Sequence, residues 1–349
     1  MEKMIPTILN QNFIKLGLID DYKSFIWTSR YYEPGDFELT VGVSKLNVSL
    51  IQAHNYVSRS DSDEIGIIEK IRMEVREDNE QFIVASGRFL SCILGRRIIA
   101  EQTQLNGGLS NCIYQLINDA IISPAADERK ISNFILGNFS NNTIKLSMQF
   151  TGDNLLTAIS KIAEEVGIGF KVLLNSSNQF VFQLFNGTDR SYDQNTNPHV
   201  VFSTEYDNLL SSIYEENQSV IVTDVLVAGE GEGALRKKIW AYNQTNSGLM
   251  RFEKFDDARN LSTNEGEISL SDYYNQLKEQ GLAEISNYTT AFQGEVDFSN
   301  VKFNQDLFIG DICSIEEKSL GLYINTRLVE VIESIGESGK YIAIPTFGI

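Results

Sequence analysis

The segment 20–41, DDYKSFIWTSRYYEPGDFELTV, constrains the fold more than any other part of the sequence. Its second half places Phe37, Leu39 and Val41 on one side with polar residues between them, the two-residue period of a half-buried strand. Its first half contains Trp27 and carries bulky groups on both sides. The EPGD tetrapeptide between the halves predicts a type II turn, because proline presets φ and glycine accepts a positive φ. An antiparallel hairpin with a core tryptophan suffices to explain the pattern.

The rest of the first hundred residues continues in the same manner. Apolar residues alternate with charged ones over 65–76, and segments 13–19 and 42–57 are also predicted to be extended. A turn at Asp78-Asn79 leads into the next strand. An antiparallel meander with a turn about every ten residues favours a small barrel or sandwich. Residues 1–97 are therefore predicted to form a first β-barrel-like domain.

A mixed α+β region is predicted over residues 98–190. One helix is expected to begin at a Ser110 cap, and a second to run from an Asp153 cap to a stop at Gly167. Two strands follow, joined over the turn sequence NSSN. This order of strand, helix, strand, strand describes a compact unit inserted after the first β-rich domain.

The C-terminal half returns to strands. Residues 191–265 are predicted to be β-rich, with the acidic loop GEGEG at 229–233 connecting a hairpin. Residues 266–349 are predicted to form a second β-barrel-like region that begins with a helix over 271–281, capped by Ser271. A tight turn or bulge is predicted at Gly310-Asp311. The β-rich regions at the two chain ends loosely echo each other, as two related barrels would.

Charge and cysteine content exclude several functions. The formal net charge is −18, which argues against a protein that grips nucleic-acid phosphates. An acidic surface could repel passing DNA, and an ordinary acidic soluble protein explains the charge equally well. Three widely spaced cysteines in apolar runs predict buried free thiols in a reducing compartment. With neither a signal peptide nor an 18-residue apolar run, synthesis and folding in a cytoplasm without a membrane span are expected.

No catalytic, cofactor-binding or metal-binding motif stands out. His54 and His199 lack partners at zinc-ligand spacing, and the GEGEG loop lacks the lysine and hydroxyl of a phosphate-binding loop. Adjacent carboxylates such as those at 164–165 and 256–257 are expected to be solvated. The chain is therefore predicted to be no enzyme and to need no cofactor.

Aromatic and arginine side chains are the remaining candidates for function. Aromatics of the hairpin could anchor a subunit contact or stack on a sugar, although a core role is the simpler interpretation. Adjacent arginines on a short helical turn point in different directions, so one could bond within the fold while the other meets a neighbour. Solvated surface charges are the alternative. The candidate assembly residues are Trp27, Arg30, Tyr32, Arg96 and Arg97.

Six segments resemble the tail-tip baseplate hub proteins of long-tailed bacteriophages, a family that includes the N-terminal part of the tail-associated lysin (Tal). They are IDDYKSFIWTSRYYEPGDFEL, SGRFLSCILGRRII, FNGTDRS, RFEKFDDARNLS, LFIGDICSIEEKSLGLYINTRLVEV and PTFG. The segments occur in the family order over nearly the whole chain. The resemblance implies a phage baseplate-hub fold with two small β-barrel-like hub domains and a peripheral α+β domain.

The resemblance also implies a structural function. Proteins of this kind are homotrimers that close the distal tail as a ring of pseudo-sixfold symmetry. The implied partners are a distal tail protein hexamer, a tape-measure protein and a receptor-binding or fibre protein, with DNA passing through the lumen without specific binding. The implied location is the tail tip of the virion, after assembly in the host cytoplasm. A cell-wall-degrading tail lysin and a saccharide-binding tail module are the alternatives.

Overall fold

The structure of the protein is a computed structural model that describes residues 4–75, 79–139, 141, 143–286, 289–296 and 301–348. Strands predominate over helices, and the helices concentrate in the middle of the chain. The predicted mainly β class with an α+β insertion is confirmed. Of the predicted features, the turn residue Asp78 lies outside the described residues.

The N-terminal region is rich in strands, as predicted. Its elements are β1 (Thr7–Leu9), β2 (Lys15–Leu18), β3 (Ser24–Arg30), β4 (Asp36–Gly42), α1 (Lys45–Leu50), β5 (Tyr56–Ser58), β6 (Ile65–Ile67), β7 (Lys70–Val75), β8 (Gln81–Arg88) and a 3₁₀ helix (Leu90–Arg96). The prediction of an extended stretch over 42–57 is wrong in its centre, where the chain forms α1. The Ser44 hydroxyl accepts a hydrogen bond from the Asn47 N–H at 3.0 Å and so caps α1.

The middle of the chain forms the α+β unit. Its elements are β9 (Thr103–Gly108), α2 (Leu109–Ile117), a π-helical turn (Asn118–Ile122), a 3₁₀ turn (Asp127–Arg129), β10 (Phe134–Leu136), β11 (Lys145–Phe150), α3 (Leu155–Val166), β12 (Gly169–Leu174) and β13 (Phe180–Phe185). The stop at Gly167 is confirmed, with φ at +71°. Both predicted caps are wrong: Ser110 lies inside α2, and α3 is capped by Asn154, whose side chain accepts from two backbone N–H groups.

The C-terminal half adds the remaining strands and one helix. They are β14 (Val201–Ser203), β15 (Leu209–Asn217), β16 (Asp224–Ala228), β17 (Lys238–Ala241), β18 (Glu253–Asp257), α4 (Leu270–Ala283), β19 (Thr289–Val296), β20 (Ile312–Glu317), β21 (Leu322–Gly336) and β22 (Tyr341–Gly348). Short 3₁₀ turns occur at Thr204–Tyr206, Gly233–Leu235, Gly248–Met250, Asn264–Gly266 and Lys318–Leu320. Ser269, rather than Ser271, caps α4. The segment 229–233 connects β16 to β17 as a hairpin loop, as predicted.

One ten-stranded sheet joins the two ends of the chain. Its order is β15-β19-β22-β21-β3-β4-β8-β7, and β20 and then β14 branch from β21. The seam between the N- and C-terminal parts is the antiparallel pairing of β3 with β21, which runs over seven residue pairs. The strands of the two predicted barrel-like regions therefore belong to one sheet, and the part of the chain that is described contains no closed barrel.

Smaller sheets and four apolar clusters complete the fold. The small sheets have the orders β2-β1-β5-β6, β10-β13-β12, β11-β9 and β17-β16-β18. The clusters lie around the β3–β4 hairpin, between the helices of the α+β unit, beneath β20–β22, and between α4 and β16. The first and third of these clusters lie against the two halves of the ten-stranded sheet.

The hairpin turn differs from the predicted type II geometry. Gly35 does not adopt a positive φ. A Cβ atom there would lie 2.2 Å from the Thr28 carbonyl oxygen and 2.4 Å from the Phe89 ring. Glycine is therefore required at this position by close packing rather than by backbone conformation.

Trp27 is the centre of the hairpin core. Its side chain is fully buried, with its ring centroid 4.4 Å from that of Phe89 and 5.8 Å from that of Phe25. The Arg59 guanidinium lies 5.5 Å from the ring centroid on the β21 side of the core. The bulky groups on both sides of β3 are thus explained by a strand in the middle of a sheet.

We expect the substitution Trp27→Ala to lower the free energy of unfolding by about 3–5 kcal/mol, because it leaves a large cavity in the core. Trp240, the second tryptophan, provides a matched control because it is 37% exposed. The Arg251 guanidinium lies 4.6 Å from its ring centroid, so Trp240→Ala should cost about 1 kcal/mol. Denaturant titrations followed by circular dichroism measure the free energy of unfolding of both variants. Equal losses of this free energy would contradict the placement of Trp27 at the centre of the core.

Candidate assembly surface

Arg30 ends β3 and ties the hairpin turn to the C-terminal half. Its Nε donates to Glu330 Oε2 at 2.6 Å, and its Nη1 donates to Asp36 Oδ2 at 2.6 Å. Burial alone would lower the pKa of the guanidinium, but its bonds to the two carboxylates outweigh burial and raise it. Arg30 is partly buried and already occupied on both sides. Its main role in the single chain is to hold the seam between β3 and β21.

Tyr31 joins three parts of the chain at one point. Its fully buried hydroxyl lies 3.3 Å from the Gly167 carbonyl oxygen and 3.2 Å from that of Phe185, both in the α+β unit. The Arg327 guanidinium of β21 lies 5.1 Å from the ring centroid. A Cβ on Gly310 would come within 2.2 Å of the ring, so glycine with φ of +91° is needed there. The sequence marks Tyr31 only as one of the hairpin aromatics that could anchor a subunit contact or stack on a sugar, and its full burial makes it a core residue instead.

The two predicted aromatic candidates, Trp27 and Tyr32, differ in how far they are buried. Trp27 is fully buried, so it supports the hairpin and cannot reach a neighbouring chain while the core is intact. Tyr32 packs edge-on against Tyr31 at 4.8 Å and is only partly buried. Burial raises the pKa of its hydroxyl, and the nearby charge of Arg327 opposes that rise. Tyr32 lines a surface cleft together with Glu164 and Arg327.

The adjacent residues Arg96 and Arg97 have different surroundings. The Arg97 Nε donates to the Arg129 carbonyl oxygen at 2.8 Å, which fixes the loop after α2. Arg96 is exposed at the end of the 3₁₀ helix, near Tyr56 and Glu69. Burial raises the pKa of the Tyr56 hydroxyl, and Arg96 counteracts this. A contact of Arg96 with a neighbouring subunit remains a prediction.

A polar cleft of about 380 Å³ lies where the N-terminal, α+β and C-terminal parts meet. Its lining includes Asp63, Glu64, Lys171 and Asp311. The Lys171 Nζ donates to Asp63 Oδ2 at 2.6 Å. Removal from bulk water raises the pKa of Glu64 to about 8, and Asp63 adds to the effect while Lys171 opposes it.

Asp311 shows why the Gly310-Asp311 turn precedes β20. Its carboxylate accepts from the Thr188 N–H and the Arg190 Nε, both at 2.7 Å, and from the Phe308 N–H at 3.1 Å. The side chain is almost completely buried, and these three bonds compensate its negative charge. The turn thereby fastens the end of the α+β unit to the C-terminal half.

A second buried ion pair lies beneath the hairpin. Arg59 donates to both oxygens of Glu333 at 2.9 and 3.2 Å and to both oxygens of Asp61 at 2.9 and 2.6 Å. The Tyr341 hydroxyl donates to Glu333 Oε1 at 3.0 Å. The sequence offered no signal for this group, because Arg59 and Glu333 are distant along the chain.

The potential metal ligands and the cysteines do not form a recognisable site in the described part of the chain. Across the described ranges, no group of three or more histidine, cysteine, aspartate or glutamate residues is placed to hold a metal ion. All three cysteines are free and buried. Burial is the main cause that raises the pKa of the Cys92 thiol to about 11. No helix among the residues described is long and apolar enough to cross a membrane.

The fold is shared with solved phage tail proteins. A tail protein from Neisseria meningitidis MC58 has a TM-score of 0.60 at 14% identity, covering 100% of this chain and 97% of that one. The prophage MuSo2 43 kDa tail protein from Shewanella oneidensis also has 0.60 at 12% identity, covering 99% and 98%. A chain of the Francisella PdpA–VgrG complex has 0.52 at 11% identity, covering 99% and 52%. At these identities the similarity shows a common fold.

This architecture is that of a phage tail protein, and the sequence agrees. Residues 5–349 match the family described as Siphovirus ReqiPepy6 Gp37-like protein, and the chain belongs to that family. No curated protein sequence matches significantly. The resemblance to siphophage tail-tip proteins found in the sequence is therefore confirmed.

We expect Glu64→Gln to stabilise the protein increasingly as the pH rises. The folded pKa of about 8 lies above the ordinary value of 4.5, so an ionised Glu64 disfavours folding. This cost is absent below pH 4.5, grows up to about pH 8 and is constant above it. The melting temperature of the variant minus that of the wild type should follow this course.

Glu33→Gln is the control for this measurement, because Glu33 is an exposed glutamate in the turn between β3 and β4. Its melting temperature should track that of the wild type from pH 4 to pH 9. A Glu64→Gln difference that stays flat over the same range would contradict the raised pKa.

Proposed function

We propose that the protein is a homotrimeric hub that closes the distal end of a phage tail and surrounds a channel. The observation that carries this proposal is the single ten-stranded sheet that unites both ends of the chain. Membership of a siphovirus family and the fold shared with prophage tail proteins support it. In this role the protein acts by assembly and not by catalysis.

The sheet has two comparable halves, so three copies of the chain could match a partner with sixfold symmetry. One half contains β7, β8, β4 and β3, and the other contains β21, β22, β19 and β15. An apolar cluster covers the same face of each half. Three chains would therefore present six similar strand groups, enough to dock on a distal tail protein hexamer. A tape-measure protein and a receptor-binding or fibre protein are the other proposed partners.

The opposite face of the sheet is the proposed channel wall. Strand registers place Glu38, Glu330 and Thr346 on the side away from Trp27. The chain as a whole carries a formal net charge of −18. Arg30 and Arg72 share this face, so its own charges are mixed. The acidic net charge is what supports a lumen that DNA passes without specific binding, because like charges repel. We place the assembled protein at the virion tail tip, after assembly in the host cytoplasm.

We expect the purified protein to be a trimer in multi-angle light scattering and a threefold ring in electron-microscopy class averages. A monomer or a twofold dimer at all concentrations would contradict the hub, and so would a channel lined mainly by lysine and arginine. Incubation with host peptidoglycan should release no muropeptides. Release of muropeptides would favour the tail-lysin alternative.

A further inference from the structure

A small polar cavity lies between the α+β unit and the helix α4. Its volume is about 100 Å³, and its lining comes from β11, α3, α4 and Leu261. One water molecule needs about 10–15 Å³ of such space, so the cavity has room for a larger polar group. The lining elements lie outside the ten-stranded sheet, so the cavity is separate from the proposed channel wall.

Two glutamines of the lining have amide oxygens without a partner. Gln149 on β11 is 5% exposed and Gln276 on α4 is 9% exposed, yet the Oε1 atom of each accepts no hydrogen bond from the described residues. The nitrogen end of the Gln149 amide is held, because its Nε2 donates to the Asn260 carbonyl oxygen at 3.4 Å. A buried acceptor that stays unpaired destabilises the folded chain, so each such oxygen needs an explanation.

A third glutamine oxygen of the same kind lies beside them. Gln104 on β9 is directly opposite Gln149 in the antiparallel β9–β11 pair, so both side chains lie on one face of that sheet. The Gln104 Oε1 is also buried and accepts no bond from the described residues. Leu146 and Phe150 of β11 pack into the core of the α+β unit on the other face. The glutamine face is therefore the one turned toward α4 and the cavity.

Carboxylates lie at the mouth of the cavity. Glu165 on α3 and Glu279 on α4 both line it and have exposed side chains. Partial burial is the first cause that raises the pKa of Glu165, and the charge of Glu279 raises it further while Lys161 opposes the rise. The two carboxylates are thus close enough to repel each other. Lys145 and Lys161 also line the cavity, but the Lys161 Nζ already donates to Glu284 Oε1 at 3.2 Å.

This arrangement favours a ligand that donates hydrogen bonds and carries a positive charge. Amide oxygens accept from N–H groups, and carboxylates form the strongest bonds with charged donors. Ammonium and guanidinium groups have several N–H donors and no acceptor, so every polar atom of such a group finds a matching oxygen. An anion would meet acceptors in the floor and like charges at the mouth.

We propose that this cavity binds the cationic head of an organic amine, an alkylammonium or guanidinium group. The Oε1 atoms of Gln149 and Gln276 accept its N–H groups, and Glu165 and Glu279 compensate its charge. The head belongs either to a small free amine or to a lysine or arginine side chain of another protein. This inference goes beyond the hub function and does not depend on it.

Calorimetric titration of the full chain tests the chemistry of the ligand. The probes are n-butylamine, for a free amine, and the N-acetyl methylamides of lysine and arginine, for side chains of a protein. Tetramethylammonium is the control, because it carries the same charge without N–H donors and should bind at least about 10-fold more weakly than the best probe. The tightest of the three probes identifies the source of the head. Equal binding of tetramethylammonium, or no binding of any probe, would overturn the proposal.

Gln276→Met separates a binding site from a structural role. Methionine keeps the length of the side chain and removes the acceptor, so the Kd of the best probe should rise about 10-fold. The melting temperature without ligand should stay equal or rise, because an unpaired buried oxygen has been removed.

Gln194→Met is the matched control, because the Gln194 Oε1 accepts from the Thr196 and Asn197 N–H groups, both at 2.7 Å. Its melting temperature should fall and its Kd should not change. A fall in the melting temperature of Gln276→Met with an unchanged Kd would show that Gln276 supports only the fold, and would overturn the proposal.

Discussion

The pairing of β3 with β21 is the constraint on which the rest of the structure depends. It joins strands about three hundred residues apart, so forming it costs the closure entropy of nearly the whole chain. Burial of Trp27 offsets this cost, and so do Arg30 with Glu330 on one face of the seam and Arg59 with Glu333 on the other. The two chain ends thereby become one sheet rather than two independent barrels.

The seam also positions the inserted α+β unit. Tyr31 follows β3 directly, and its hydroxyl reaches the backbone at Gly167 and Phe185 while its ring packs over Gly310. Asp311 binds Arg190 from the other side. Because these contacts are buried and polar, they require one geometry, and loss of one partner would leave an unsatisfied group inside. The insertion is thus held at a fixed place beside the sheet.

Such a design suits the structural role that we propose. The polar groups found at the junctions bond to one another, and the described residues bring together no cluster for metal binding. Among the described residues, the main path of the ten-stranded sheet ends at β7 and β15, and its branch ends at β14.

Much of the local structure could be predicted from the sequence alone. Alternation around Trp27 determined a hairpin, Gly167 determined the end of α3, and the resemblance of six segments pointed to the correct class of phage protein. These signals are local, since they depend on side-chain period and on the backbone preferences of single residues. Caps were less predictable, because α2 begins after Gly108 without a side-chain cap and Asn154, the neighbour of Asp153, caps α3.

Only the tertiary structure decided which strands meet. Alternation in β3 and β21 shows that each has buried faces, but it carries no information on the partner. For the same reason, neither the pairing of Arg59 with Glu333 nor the central place of Tyr31 could be inferred. Gly35 appeared to be a residue for a positive φ, yet the Phe89 ring is what requires it. Which strands pair is set by the total apolar surface that the whole fold buries. That total cannot be read from any single segment of the sequence.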